Sequence, residues 1–166
     1  VPTVPGYEGL ESDADFQKAA HEIGYPVLIK ASAGGGGKGM LMAHNQSEFI
    51  ANARQASRES LRYFGDARIY VEKYFEKPRH IEVQLLADQH GNIIHLFERE
   101  CSIQRRFQKV IEESPAPNLS VNIRKSLTDD ALKLALAIGY ENAGTIEFLL
   151  DEKGQHYFLE MNTRIQ

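Results

Sequence analysis

Two segments near the end of the chain carry acidic residues at spacings that could serve chemistry. Residues 144–151 and 156–162 alternate apolar and polar side chains, which predicts a pair of antiparallel strands. A two-residue turn at Lys153-Gly154 would place Glu147 directly opposite Glu160. The face that the two glutamates share would also carry Leu149, Phe158 and Asn162.

Opposed carboxylates repel each other, so a sheet that keeps this pair needs a cation near it. Two carboxylates and the amide oxygen of Asn162 are hard ligands that suit Mg²⁺ or Mn²⁺, with substrate phosphates completing the coordination. The other face of the hairpin is predicted to be core: Ile146, Phe148, Leu150, Tyr157, Leu159 and Met161. The same spacing also allows Glu147 and Glu160 to be hydrated surface residues, because a change of one residue in the turn would destroy the pairing.

A glycine-rich segment, ASAGGGGKGM at 31–40, lies between two predicted strands. Glycines approach phosphates closely because they lack Cβ and expose backbone N–H donors. The lysine is followed by glycine and a strand, which excludes a Walker A loop, and glycines that join two strands exclude a Rossmann fingerprint. We predict a phosphate-binding lid with positive charge from Lys30 and Lys38, least ordered at 34–37 without nucleotide; a surface hairpin is the alternative.

The remaining pattern predicts helices and strands in two successive groups. Helices are expected at 13–23, 47–64 and 120–138, with Ser47 capping the second. Strands are expected at 26–31, 39–43, 68–75, 79–87 and 92–98, and residues 99–113 are polar and charged.

Composition limits the classes of function. The chain has 166 residues and a net charge of −4, which disfavours nucleic acid as a partner. No apolar run approaches the ~20 residues of a membrane helix. The single cysteine, Cys101, is interpreted as a packed, inert thiol. The chain begins without Met and stops just after a predicted strand, so we interpret it as a segment of a longer protein.

Six short motifs occur in order along the chain: PVLIKASAGGGGKGM (26–40), EKY (72–74), PRHIE (78–82), CSIQRR (101–106), QK (108–109) and EMNTRIQ (160–166). Together they resemble the biotin carboxylase component of biotin-dependent carboxylases, which has the ATP-grasp fold. The resemblance implies an α+β fold with a small lid subdomain at 1–75. Residues 76–166 would form part of a larger, mixed-sheet C-terminal subdomain that carries the metal and bicarbonate site.

The resemblance implies ATP- and bicarbonate-dependent carboxylation of biotin, as the biotin carboxylase part of an acyl-CoA, pyruvate or urea carboxylase. ATP phosphorylates bicarbonate to carboxyphosphate, which breaks down to CO₂ beside the ureido nitrogen of biotin. The expected ligands are ATP, Mg²⁺ or Mn²⁺ at two sites, bicarbonate and biotin as carried substrate. The expected partners are a biotin carboxyl carrier domain and a carboxyltransferase, in a homo-oligomeric parent of the bacterial cytoplasm or mitochondrial matrix, with no nucleic acid and no membrane.

The resemblance also assigns residues to roles. The ATP phosphates would be contacted by Lys30, Gly36 and Gly37. The rest of the nucleotide would be bound by Glu72, Lys73, Tyr74, Phe75, His80, Gln104 and Leu149. The metals would be held by Glu147, Glu160 and Asn162. Bicarbonate would be bound by Lys109, Arg164 and Gln166, with Lys109 and Arg164 as the catalytic residues.

Some positions depart from the family or lack a role. Phe107 stands where the family often has His or Asn, so the contact to ribose is not carried over. The family's general base lies two residues beyond Gln166, and the isolated chain is therefore not expected to turn over. Glu82 is interpreted as a solvated strand residue, with a position supporting the ligand-binding residues as the alternative, and His156 is interpreted as a surface residue.

Two other functions remain open. A carbamoyl-phosphate synthase-like domain uses the same phosphorylation of bicarbonate but transfers to ammonia. A nucleotide-binding module without catalysis would keep the fold and lose the chemistry.

Overall fold

The computed structural model describes residues 1–7, 13–33, 40–105 and 108–166. These residues form two compact units, one made of 4–76 and the other of 1–3 together with 77–166. The expectations about Gly36, Gly37, Lys38 and Phe107 lie outside the described residues.

The unit at 4–76 is a four-stranded antiparallel sheet with two helices packed on it. The strand order is β1-β4-β2-β3. Its core joins sheet residues such as Val27, Ile29 and Val71 to Phe49 of a helix. The elements are β1 (Gly6–Tyr7), α1 (Asp13–Ile23), β2 (Val27–Ala31), β3 (Leu41–Ala43), α2 (Gln46–Phe64) and β4 (Ile69–Lys73).

The N-terminal cap of α2 is Asn45, and the expectation that Ser47 caps this helix was wrong. The Asn45 side chain accepts a hydrogen bond from the backbone N–H of Glu48, and Glu48 in turn accepts from the N–H of His44. This reciprocal arrangement satisfies one N–H of the first turn and the N–H of the residue before the cap, so the helix begins at Gln46.

The second unit is a five-stranded sheet with one helix packed on it in the described residues. The strand order is β7-β6-β5-β8-β9, and all named strands pair antiparallel. A parallel bridge joins Thr3 to Phe158. The elements are β5 (Arg79–Ala87), β6 (Ile93–Arg105), β7 (Gln108–Glu113), α3 (Val121–Ala137), β8 (Asn142–Leu150) and β9 (His156–Asn162).

The two faces of this sheet differ because side chains alternate along each strand. One face packs its apolar residues, among them Ile81, Val83 and Phe148, against Leu127 and Ala131 of α3. On β5 and β8 the other face carries polar residues between those apolar ones. This second face is called the polar face below, and it holds the candidate site.

The hairpin of β8 and β9 places Glu147 opposite Glu160 as predicted, although the predicted turn was wrong. A longer turn closes between Asp151 and Gln155, which sets the first pair one residue out of the predicted register. An irregularity between the Glu147 and Phe148 pairs then adds one residue on β9 and restores the predicted pairing.

The shifted register between the turn and the bulge also changes which side chains share a face. Phe158 lies opposite Phe148 and packs against the core, whereas it was expected on the face of Glu147. Tyr157 lies opposite Leu149, whereas it was expected in the core. Both errors follow from the longer turn, which sets residues 156–158 one residue out of the predicted register, because a shift of one residue moves a side chain to the other face.

Candidate active site

Four charged residues lie side by side across four strands of the polar face. Glu160 on β9 is the register partner of Glu147 on β8, which is the partner of Glu82 on β5. Glu82 is in turn the partner of Arg99 on β6. Three carboxylates in adjacent strands repel one another, so the row needs cations to be stable.

Lys109 on β7 supplies one of these cations. Its Nζ donates to Glu82 Oε2 at 2.5 Å and to Glu147 Oε1 at 2.6 Å. Burial alone would lower the pKa of Lys109, but the hydrogen bonds and charges of the two glutamates outweigh it and raise the pKa. The lysine is therefore held as an ammonium between two buried carboxylates.

Glu147 is buried and strongly ionised. Burial would raise its pKa, yet the contacts from His80 and Lys109 prevail and hold the pKa at about 2. Asn162 adds a hydrogen bond from Nδ2 to Glu147 Oε1 at 2.8 Å. The structure thus brings together Glu147, Asn162 and Lys109, which the sequence assigned to metal and bicarbonate.

Glu82 belongs to this cluster, and its interpretation as a solvated strand residue was wrong. Its residue exposure is 2%, and its two oxygens are bound by Arg99 and Lys109. Alternation along β5 could have indicated that Glu82 belongs to the site, since His80, Glu82 and Gln84 share one face. The sequence did not show that β6 and β7 would cover that face with cations.

His80 and Gln104, both assigned to the nucleotide, lie beside Glu147. Gln104 Nε2 is 3.1 Å from His80 Nδ1 and also donates to the carbonyl of Cys101 at 2.8 Å. His80 Nε2 is 2.6 Å from Glu147 Oε2, although it is buried without an aligned hydrogen bond. Leu149 is the register partner of His80 on β8.

The residues assigned to metal fit a divalent ion on this face. Glu160 is exposed, and no side-chain ion pair joins it within the described ranges. One nitrogen of His80 and one oxygen each of Glu82 and Glu147 also lie within 4.8 Å of one another, but Lys109 already bridges the two glutamates. Mg²⁺ or Mn²⁺ would fit better on the other side of Glu147, toward Glu160 and Asn162. That side offers hard oxygen donors and a carboxylate without a cation.

The chain end joins the same network. Arg164 Nη1 donates to Gln166 Oε1, and Gln166 Nε2 approaches Glu82 Oε2 at 3.4 Å. Gln84, which sequence reasoning missed, accepts hydrogen bonds at 3.1 Å from both the Gln166 N–H and the Thr145 hydroxyl. The three residues assigned to bicarbonate are therefore linked through Glu82.

In the unit at 4–76, Lys30 and Glu72 form an ion pair between β2 and β4. Their side chains are 16% and 13% exposed, so both groups lie largely out of solvent. The Lys30 ammonium also lies 5.7 Å from the centre of the Tyr70 ring. Two residues assigned to different parts of ATP are thus held at one place in this unit.

The side chain of Lys73 has a structural partner in the same unit. Its Nζ donates to the carbonyls of Gly24 and Tyr25 at 2.9 and 3.2 Å, just after the end of α1. A cation at this position is favourable because the carbonyls there carry partial negative charge. Tyr74 and Phe75 follow β4, and the Tyr74 N–H donates to Pro26.

Two further residues lie on or near the second unit's core. His156 is 5% exposed and contacts Asp130 at 2.8 Å, so its interpretation as a surface residue was wrong. Cys101 is fully buried, and burial together with the charge of Glu82 raises its pKa to about 12. A thiol with this pKa is a poor nucleophile at neutral pH.

Comparisons with known proteins place the chain in a family. Residues 1–166 match the family described as carbamoyl-phosphate synthase L chain, ATP binding domain. The chain is 55% identical to biotin carboxylase 2, chloroplastic, of Populus trichocarpa, covering 100% of this chain and 32% of the relative. It is also 55% identical to the propionyl-CoA carboxylase alpha chain of Ruegeria pomeroyi, covering all of this chain and 24% of the relative.

Solved structures show the same similarity. A biotin carboxylase from Campylobacter jejuni, in complex with a β,γ-ATP ligand, superposes with a TM-score of 0.92 at 51% identity. The biotin carboxylase domain dimer of 2-oxoglutarate carboxylase from Hydrogenobacter thermophilus, with MgADP, ADP and bicarbonate, gives 0.91 at 50% identity. Each match covers 100% of this chain and 37% of the solved chain.

The chain belongs to the carbamoyl-phosphate synthase L chain ATP-binding family. Its α+β architecture is the ATP-grasp fold of biotin carboxylases, as the sequence predicted. It spans about a third of the length of the biotin carboxylases that it matches. No helix in the described ranges is long and apolar enough to cross a membrane.

Proposed function

We propose that the full-length protein carrying this chain uses ATP and bicarbonate to carboxylate biotin on a carrier domain. The observation that carries the proposal is the position of Lys109, shared by two buried glutamates and linked to Gln166 and Arg164. Relatives about 55% identical along the whole chain are biotin carboxylases or the corresponding parts of acyl-CoA carboxylases.

Lys109 and Arg164 bind bicarbonate and stabilise the charge that develops as it attacks the γ-phosphoryl group. An ammonium has three N–H donors, and Lys109 directs two of them to Glu82 and Glu147. The third has no protein acceptor in the described part of the chain, and it is available to an oxyanion. Gln166 orients Arg164, whose planar guanidinium suits bicarbonate.

Glu147, Glu160 and Asn162 hold Mg²⁺ or Mn²⁺ at two sites. When bound, the metal neutralises phosphate charge, which is the main requirement of phosphoryl transfer. His80 and Gln104 orient Glu147 and contact the nucleotide, and Leu149 beside them packs on adenine. The structure with MgADP and bicarbonate in a 50% identical relative supports these ligands.

The lid subdomain proposed at 1–75 contributes the other ATP contacts. Lys30 binds phosphate with Gly36 and Gly37, which requires the nucleotide to compete with Glu72 for the ammonium. The segment Glu72 to Phe75 binds adenine, and Lys73 does so through its backbone because its side chain is engaged elsewhere. Residues 76–166 form the C-terminal subdomain of the fold.

The partners proposed for the full-length protein are a biotin carboxyl carrier domain and a carboxyltransferase, in a homo-oligomer. Relatives include subunits of methylcrotonoyl-CoA carboxylase and a pyruvate carboxylase, so several final acceptors occur among them. Relatives are chloroplastic, mitochondrial or bacterial; we place this protein in the bacterial cytoplasm or the mitochondrial matrix.

The test is ATP cleavage by the full-length protein, measured with and without bicarbonate, Mg²⁺ and biotin. We expect cleavage to require bicarbonate and Mg²⁺, and carboxybiotin to form when biotin is added. Carbamoyl phosphate formed with ammonia would instead support a synthase-like activity. Binding of MgATP without bicarbonate-dependent cleavage would overturn the proposal and indicate a non-catalytic module.

A further inference from the structure

Arg99 is the fourth member of the row of charged residues on the polar face, and none of the roles proposed above involves it. It lies on β6, directly opposite Glu82, and its side chain is 24% exposed. Its Nε donates to Glu82 Oε1 at 2.5 Å, and its Nη2 contacts the same oxygen. One oxygen of a buried carboxylate therefore receives two donors of a single guanidinium.

The other end of Arg99 is also held. Its Nη1 lies 2.8 Å from Glu112 Oε2 on β7. A guanidinium fixed at both ends has little freedom to rotate, because its donors form a rigid plane. Arg99 thus connects β7 to β5 above the sheet, and its orientation does not depend on Glu82 alone.

This arrangement sets the direction of the second oxygen of Glu82. With Oε1 occupied by Arg99, Oε2 points to Lys109 and accepts from it at 2.5 Å. Arg99 also compensates part of the negative charge of Glu82, so Lys109 is not the only cation available to that carboxylate. Without Arg99, the buried Glu82 would rotate toward Lys109 and draw its ammonium away from an incoming anion.

We propose that Arg99 is a positioning residue of the bicarbonate site: anchored by Glu112, it orients Glu82, and Glu82 orients Lys109. This inference rests on the proposed function, because it assumes that Lys109 binds bicarbonate. Arg99 itself does not contact substrate, and its effect is exerted through a hydrogen-bonded carboxylate. Residues that orient a ligand-binding group commonly affect activity by about 10- to 100-fold in metal sites.

The experiment compares Arg99→Gln with Arg79→Gln in the full-length protein. Arg79 forms a similar pair with Glu100 on the α3 face of the same sheet, with contacts of 2.5 and 3.1 Å and a side chain 29% exposed. Both substitutions remove a guanidinium from a cross-strand pair. A purely structural role predicts that they change bicarbonate kinetics alike.

We expect Arg99→Gln to raise the KM for bicarbonate by about tenfold, with little change in the KM for MgATP. Arg79→Gln should lower the melting temperature but leave both KM values unchanged. Arg99→Lys keeps the charge but loses the planar set of donors, so its KM for bicarbonate should lie between those of wild type and Arg99→Gln. If Arg99→Gln does not fold, Arg99→Lys against Arg79→Lys decides the question.

Equal KM values for bicarbonate in the Arg99 and Arg79 variants would overturn the role of Arg99. That result is distinct from failure of the proposed function, in which the wild-type protein itself shows no bicarbonate-dependent ATP cleavage. The wild-type measurement therefore precedes the variants and separates the two conclusions.

Discussion

The two faces of the five-stranded sheet differ in how their carboxylates are paired with cations. On the α3 face, Glu98 is paired with Arg124, and Glu100 with Arg79. On the polar face, Glu82 and Glu147 share Lys109, and Arg99 contacts both Glu82 and Glu112, whereas no side-chain ion pair joins Glu160 within the described ranges. The matched pairs of the α3 face need no further partner, whereas the surplus carboxylate of the polar face is the feature that supports the proposed metal site.

Replacement of Lys109 should have the largest effect on activity. Lys109→Met removes the shared ammonium, and bicarbonate-dependent ATP cleavage should fall by about 10²- to 10³-fold because a preorganised charged donor is lost. Lys125→Met is the control, since Lys125 pairs with Asp129 on the exposed side of α3. A folded Lys109→Met protein with wild-type turnover would contradict the assignment.

Loss of a pair on the α3 face should act on stability alone. Glu98 is 1% exposed and its Oε1 accepts from Arg124 Nε at 2.8 Å. Arg124→Ala leaves this carboxylate buried and unpaired, which should lower the free energy of unfolding by about 3–5 kcal/mol. Denaturant unfolding measures the loss, and KM values should not change.

A second substitution sharpens this prediction. Adding Glu98→Gln to Arg124→Ala removes the unpaired charge and should restore part of the lost stability. An equally unstable double variant would show that packing of the Arg124 side chain, and not the charge of Glu98, causes the effect.

The pH dependence of stability should distinguish Glu147 from Glu100. The pKa of Glu147 is about 2 in the folded protein and near 4.5 when the chain is unfolded, so its contribution is complete above 4.5 and is lost as pH falls to 2. A difference of this size corresponds to about 3 kcal/mol. Unfolding of metal-free wild type and Glu147→Gln between pH 5 and 2 should show this loss in wild type only.

Glu100→Gln provides the comparison from the α3 face. The hydrogen bond from Arg79 lowers the pKa of Glu100, opposed by partial burial, so the sign of its pH dependence is the same. We expect a smaller change of slope than for Glu147, because Glu100 has one cation and lies nearer the solvent. A larger slope change for Glu100 would reverse our ranking of the two faces.

Cys101 should give the smallest effect. Its pKa of about 12 leaves almost no thiolate at pH 8, and the residue is fully buried. Alkylation by iodoacetamide should therefore be slow in the folded protein and become fast in urea. Fast labelling of the folded protein would show that the sheet opens around Cys101.

The pairing of Glu147 with Glu160 shows how far sequence reasoning reaches. Alternation within each strand correctly indicated a carboxylate face and a core face. The turn could not be predicted, because it depends on the Asp151 carboxylate accepting from the backbone N–H groups of Lys153 and Gln155, a contact that has no periodic signal. Alternation likewise does not indicate where a bulge interrupts a strand. The turn and the bulge each shift the register by one residue. The two shifts cancel at Glu147, but between them Tyr157 and Phe158 lie on the opposite faces from those predicted.

Motifs and alternation in the sequence determined the family, the α+β fold and most residues of the candidate site. Only the tertiary structure decided that Glu82 is buried between two cations, that His156 pairs with Asp130, and that Lys73 binds the carbonyls that follow α1. The physical reason is the same in each case. Burial and ion pairing depend on the strand or helix that lies alongside, and a local sequence pattern does not specify that neighbour.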